Sequence, residues 1–82
     1  MLTVEYEKEF IRTIGKIKDE AFKERVKKQV ERIVDDPEIG KPMRYSRKGT
    51  REVHIPPYRL AYSYSQQTDT IVFLEIYHKD FQ

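Results

Sequence analysis

Apolar and polar positions follow one another along this chain with two distinct rhythms. Residues 2–6 (LTVEY) are rich in strand-forming side chains, and from about Glu7 the spacing lengthens. Phe10, Ile14 and Ile17 then recur at helical intervals with Ile11 beside them, which predicts a short amphipathic helix. A second helix follows, with Asp19 as its predicted N-cap. Phe22, Val26, Val30, Ile33 and Val34 form its apolar stripe, and Lys23, Glu24, Lys27, Lys28 and Glu31 its wet side. Asp35-Asp36-Pro37 and Gly40 stop it. The remainder alternates with a period of two: residues 50–55, 58–65 and 70–77 read as three strands, joined by Pro56-Pro57 and by the polar turn around Gln66-Gln67-Thr68-Asp69.

The two helices are too close in sequence to do anything but fold back on each other, and their shared apolar face needs a sheet to cover it. The predicted fold is therefore α+β, in the order β-α-α-β-β-β: an N-terminal strand, then an antiparallel two-helix hairpin packed on a mainly antiparallel sheet that ends in a three-strand meander. Length agrees, since 82 residues make one domain, taken as residues 1–82, with a thin stability margin. The chain has no cysteine, so neither disulfides nor thiolate metal sites staple the core. The N-terminus carries acidic residues where a signal peptide has a basic end, and no stretch approaches membrane-spanning length, so a cytoplasmic protein without membrane contact is expected.

Strand alternation sorts the side chains. In the middle strand Tyr58, Leu60, Tyr62 and Tyr64 share the core face, which leaves Arg59, Ala61, Ser63 and Ser65 on the other. If Val53 and Ile55 join the large face, the hairpin through Pro56-Pro57 sets Val53 against Leu60, His54 against Arg59 and Glu52 against Ala61. Thr50, Glu52, His54 and Arg59 are then collected on one surface. Two consecutive prolines cannot form the positive-φ turns that hairpins favour, so a loop wider than two residues is expected there. In the last strand Val72, Leu74 and Ile76 are assigned to the core, and Phe73, Glu75, Tyr77 and Lys79 to the Arg59 face, with Arg59 opposite Glu75 or Tyr77.

Charge sharpens this picture. The net value is only +2, but residues 41–59 hold six basic side chains (Lys41, Arg44, Arg47, Lys48, Arg51, Arg59) against Glu52 alone. A confined basic cluster in a nearly neutral chain suits a confined anion such as a phosphate; a solvated basic loop is the commoner meaning of such a run. For Arg59 the structural alternative is a cross-strand ion pair with Glu75. His54 and His78, the only histidines, lack the spacing and companions of a zinc site, so no metal and no cofactor is expected. Of the tyrosines, Tyr45 and Tyr77 are the ones placed to stack on a base.

No phosphate-cradling glycine loop, nucleophile elbow or paired-carboxylate motif occurs in the chain. Metal-free chemistry on RNA remains open, because the 2′-hydroxyl of RNA can attack the adjacent phosphorus. The protein then has to move two protons and neutralise the developing charge. A guanidinium suits the last task.

The order of elements, the DDPEIGKPM segment, the PYRLAYSY strand and the closing IVFLEIYHKD together resemble the RelE/ParE superfamily of toxins from type II toxin–antitoxin systems, over nearly the whole chain. The resemblance, which is to the RelE-like branch, implies a toxin that cleaves mRNA on the ribosome and inhibits translation. It also implies neutralisation by a cognate antitoxin wrapped around the toxin in a hetero-oligomer. Arg59 matches the family arginine that faces the scissile phosphate, Lys79 falls near its terminal basic residue, and Tyr77-His78 resembles the His-Tyr ending of YoeB toxins. Thr50 and Glu52 stand where bacterial RelE proteins have lysines, and the chain reaches Phe81-Gln82 without the family's terminal helix. Proton transfer is then expected from Glu52, His54 or His78, with Lys79 assisting, and backbone binding from Lys41, Arg44, Arg47, Lys48 and Arg51, with Tyr77 alongside. Two alternatives are a ParE-like inhibitor of DNA gyrase and a catalytically degenerate toxin that acts by binding.

Overall fold

The computed structural model describes residues 1–81, so the expectation for the end of the chain at Phe81-Gln82 lies in part outside the described residues. Strand β1 spans Thr3–Tyr6, helix α1 Lys8–Lys16, helix α2 Glu20–Asp35, and strands β2 to β5 span Lys41–Pro42, Thr50–Ile55, Tyr58–Ser65 and Thr70–His78. Single 3₁₀ turns occupy Tyr45–Arg47 and Lys79–Phe81. The strands form one sheet in the order β1-β5-β4-β3-β2. Strand β1 runs parallel to β5 and every other pairing is antiparallel. The predicted order of elements is found, with one addition: the two-residue β2, too short to give a period, extends the meander at its edge.

The N-cap of α2 is Asp19, whose side chain accepts a hydrogen bond from the Phe22 N–H at 3.2 Å. The helix ends at Asp36, one residue before Pro37, where a helical conformation is disfavoured. Phe22, Val26 and Ile33 point inward from α2 and Phe10 from α1. They meet Ile55, Leu60, Tyr62, Ile71, Phe73 and Ile76 of the sheet in one core, with Ile14, Ile17, Val30 and Val34 packed at its margin. Ile11 lies off this stripe and is exposed.

The β3–β4 hairpin has the predicted register, with Glu52 opposite Ala61, Val53 opposite Leu60 and His54 opposite Arg59. The wider loop expected at its tip is not formed. Ile55 pairs directly with Tyr58, so the connection is two residues long, and the Pro56-Pro57 peptide bond is cis. A cis proline at the third position of a turn forms a tight reversal without the positive φ angles that two trans prolines cannot supply.

Strand β5 departs further from expectation. Its pairing with β4 shifts between Ala61, opposite Glu75, and Tyr62, opposite Phe73, so Leu74 is an extra residue. Such a bulge reverses the inward and outward parity of the strand. On the N-terminal side Ile71 and Phe73 are fully buried, and beyond the bulge Ile76 points inward. Val72 and Leu74, assigned to the core by strict alternation, are only half-buried, whereas Phe73, assigned to the open face, is central. Its ring lies 5.3 Å from Tyr6, 5.5 Å from Phe10 and 6.2 Å from Tyr62, centroid to centroid. A Phe side chain carries enough apolar area for its burial to favour this arrangement.

Candidate functional site

The bulge has a second effect: it restores Glu75 and Tyr77 to the face away from the helices. Tyr77 lies opposite Arg59 in β4, which lies opposite His54 in β3, and Glu52 is two residues along from His54 on the same face. Three adjacent strands thus deliver four side chains to one patch. The loop between β2 and β3 adds a fifth. Tyr45 adopts φ 58° and Gly49 φ 99°, the second a conformation that suits a residue without Cβ. Between them the 3₁₀ turn folds Arg47 back over the sheet.

Glu52 is the hub of this patch. It is the one buried charged residue among those described, at 6% exposure. Its Oε2 accepts a hydrogen bond from Arg47 Nη1 at 2.7 Å and another from the Tyr77 hydroxyl. Its Oε1 faces Arg59 Nη1 at 3.6 Å. Arg47 Nη1 also donates to the Tyr77 hydroxyl oxygen at 2.9 Å, and the guanidinium carbon stands 4.9 Å from the centre of the Tyr77 ring. Burying a carboxylate is costly unless it is paired and hydrogen-bonded, and here every oxygen has a cationic neighbour. Burial first, and then the hydrogen bond to Glu52, raises the Tyr77 pKa above the ordinary value of 10.0, so the phenol remains a donor at neutral pH. Arg59 is ion-paired with Glu52 and lies opposite Tyr77; Glu75, its partner in the structural alternative, is exposed.

Beside this cluster a groove of about 230 Å³ is lined by Lys41, Met43, Glu52, Val53, His54 and Arg59. His54 is exposed at its rim, and Lys41 enters because β2 pairs Lys41 with Glu52. Arg44, Tyr45 and Lys48 are exposed on the adjoining loop, Tyr45 almost completely at 90%.

Two of the residues expected at the site lie elsewhere. His78 pairs with Tyr58 and sits on the helix side of the sheet, its ring edge-on to Tyr58 at 5.4 Å and its Nδ1 3.5 Å from Asp80 Oδ2. Arg51 also points to the helix side, where Nη1 donates to the carbonyls of Glu38 at 2.9 Å and Gly40 at 2.8 Å and so pins the approach to β2. Lys79 is exposed in the closing turn, and its backbone N–H donates to the Pro57 carbonyl at 3.2 Å. In the sequence Arg47 is one basic loop residue among several; no periodicity announces its contact with Glu52. Among the described residues no three His, Cys, Asp or Glu side chains are grouped as metal ligands, and no helix is long and apolar enough to cross a membrane.

Solved structures place this architecture among small bacterial and archaeal toxins. A YoeB/ParE toxin from Agrobacterium tumefaciens superposes with a TM-score of 0.83 at 12% identity, covering 94% of this chain and 98% of that one. A chain of the RelBE2 toxin–antitoxin complex from Mycobacterium tuberculosis gives 0.78 at 26% identity, over 94% and 96% of the two chains. A chain of the intact Escherichia coli RelBE toxin–antitoxin complex gives 0.78 at 12% identity, over 95% and 96%. The fold is thus that of the RelE, YoeB and ParE toxins. The sequence profile of the ParE toxin family of type II toxin–antitoxin systems (parDE) matches residues 3–82, and the chain belongs to that family. No curated protein sequence matches it significantly.

Proposed function

We propose that this toxin cuts messenger RNA on the ribosome, without a metal or other cofactor, and so inhibits translation in the cytoplasm until a cognate antitoxin binds it. One observation carries the reading: Arg59 and His54 face each other across the β3–β4 ladder at the groove on the helix-free side of the sheet, beside an exposed basic loop. In this mechanism the 2′-hydroxyl of the substrate attacks the adjacent phosphorus as the bond to the 5′-oxygen breaks. Arg59, charged at any working pH, stabilises the negative charge that builds on the non-bridging oxygens. His54 is exposed and free to take the 2′-hydroxyl proton. Lys79 is the remaining candidate to assist the departing oxygen; His78, on the far side of the sheet, has no part in the step. Lys41, Arg44 and Lys48 hold the RNA backbone. The antitoxin is supported by relatives of this fold that crystallise as toxin–antitoxin complexes.

Translation of a defined message with added protein, followed by mapping of the new ends, tests the proposal. Arg59→Ala is expected to lower cleavage about 100-fold, the scale on which one preorganised transition-state donor acts. Cleavage equal to wild type removes the assignment. A second reading, gyrase inhibition without RNA cleavage, is favoured by the ParE family match and by the neutralisation of Arg59 by Glu52. Inhibition of purified gyrase by a protein that leaves messages intact establishes that reading instead.

A further inference from the structure

Glu52 borders the groove but is almost enclosed by its neighbours. Its side chain is only 5% exposed, whereas those of the two arginines that it holds are 38% and 32% exposed for Arg47 and Arg59. One oxygen serves Arg47 and the Tyr77 hydroxyl; the other serves Arg59. The carboxylate therefore forms the floor of the patch and the guanidiniums its walls. Each guanidinium has five N–H donors, and the contacts with Glu52 and Tyr77 account for only Nη1 of each, which leaves donors for an anion above.

We propose that Glu52 is a positioning residue that sets Arg47 and Arg59 as a two-armed clamp for a single RNA phosphodiester, with Arg47 as the second arm. Two guanidiniums converging on one phosphate repel each other and sample many rotamers when nothing lies between them. A buried carboxylate eases both problems, since it screens their repulsion, holds Arg47 by a hydrogen bond and draws Arg59 in by charge. The stack of Arg47 on Tyr77 adds to its hydrogen bonds with Glu52 and the Tyr77 hydroxyl in holding the arm that comes from the loop. The cluster keeps a formal charge of +1, enough to attract a phosphodiester of charge −1. Glu52 is accordingly not the base of the reaction, although its place beside His54 and Arg59 in the ladder made it one of the candidates. This inference rests on the ribonuclease reading for its substrate but not for its geometry.

The test uses Glu52→Gln, which keeps the size of the side chain and removes its charge, and Tyr77→Phe, which keeps the ring and the ion pairs and removes one donor. Three measurements are made on the full chain. The first is the ordering of the arginine Nε–H groups by proton–nitrogen relaxation. The second is binding of a 2′-deoxy-substituted single-stranded RNA that cannot be cut, across a salt series. The third is the pH profile of message cleavage. In the wild type two arginine groups are expected to be as rigid as the backbone, and in Glu52→Gln both become mobile. The uncleavable RNA then binds the variant no more weakly than wild type at low salt, because a negative charge has been removed, while turnover falls at least 10-fold with the shape of the pH profile unchanged. Tyr77→Phe gives a smaller loss of turnover, with Arg47 alone becoming mobile. Arginines that stay rigid in Glu52→Gln overturn the proposal, and so does loss of the acid limb of the pH profile, which would make Glu52 the base. If the wild type cuts no message, the ribonuclease reading fails by itself. The clamp is then decided by relaxation and RNA binding: mobile arginines with altered salt dependence sustain it, and unchanged values of either refute it.

Discussion

The two faces of the β3–β4–β5 sheet bury comparable ambitions in different materials. The helix side is apolar at its centre: Leu60, Tyr62, Ile71 and Phe73 are at 0% exposure under Ile33 of α2, itself at 0%. The outer side buries one carboxylate and satisfies it with two guanidiniums and a phenol. On the first face, shape and area decide stability, with the Tyr62 hydroxyl adding two hydrogen bonds at the edge. On the second, position and charge decide, and removing one member leaves the others unbalanced. The apolar core and the candidate chemistry thus lie on opposite sides of a single sheet, and the two faces respond to different kinds of substitution.

The apolar face is most sensitive at Phe73, which is fully buried. Phe73→Ala is expected to cost about 3–5 kcal/mol in urea unfolding, the scale for emptying a buried aromatic site. A loss below about 1 kcal/mol would mean that the strand lacks its bulge and that Phe73 faces water. Next comes the seam where the chain enters β2. A Cβ built on Gly40 would lie 2.6 Å from the Tyr62 hydroxyl oxygen and 3.0 Å from Arg51 Cβ. That hydroxyl accepts from the Gly40 N–H at 2.9 Å and donates to the Pro37 carbonyl at 2.8 Å. Gly40→Ala is therefore expected to destabilise by about 1–3 kcal/mol through overpacking. Crystal or solution structures of the variant should show the β2 segment displaced while the Arg47–Glu52–Tyr77 contacts persist.

The smallest expected effect is alkaline. Each face carries a phenol with a raised pKa: Tyr62 mainly through burial, opposed by its hydrogen bond with Gly40, and Tyr77 through burial and the bond to Glu52. The folded protein then holds these protons more tightly than the unfolded chain, whose phenols release theirs near 10. Above that pH the unfolded state binds fewer protons, so stability falls with rising pH; the contribution is complete below 10 and is lost as pH passes the raised folded values. Thermal unfolding from pH 8 to 11 is expected to show this decline. Tyr62→Phe and Tyr77→Phe should each flatten part of it, and a variant that leaves the slope intact clears that phenol.

Much of this architecture could be read from residue order. The spacing of Phe22, Val26, Val30 and Ile33 defined α2, Asp19 marked its start, and alternation in PYRLAYSY put Arg59 opposite His54 on the face away from the helices. Three features escaped. Alternation assumes an unbroken ladder, so the extra residue at Leu74 inverted the assignments of Val72, Leu74 and Phe73. Turn preferences written for trans peptides predicted too long a loop at Pro56-Pro57. Arg47 belongs to a loop without period, and nothing local distinguishes it from Arg44 or Lys48.

The candidate site divides along the same line. Short-range chemistry was sufficient to place Arg59, His54 and Glu52 on one surface, because pairing in a short hairpin is dictated by period-two burial and leaves few registers to choose from. Which charge neutralises which, and hence that Glu52 is enclosed by Arg47, Arg59 and Tyr77 while Arg51 and His78 serve the opposite side, depended on how a loop and a bulged strand close over the hairpin. Those contacts join residues up to 30 positions apart. Their energies are set by burial and mutual geometry, which exist only once the sheet and its covering loop have assembled.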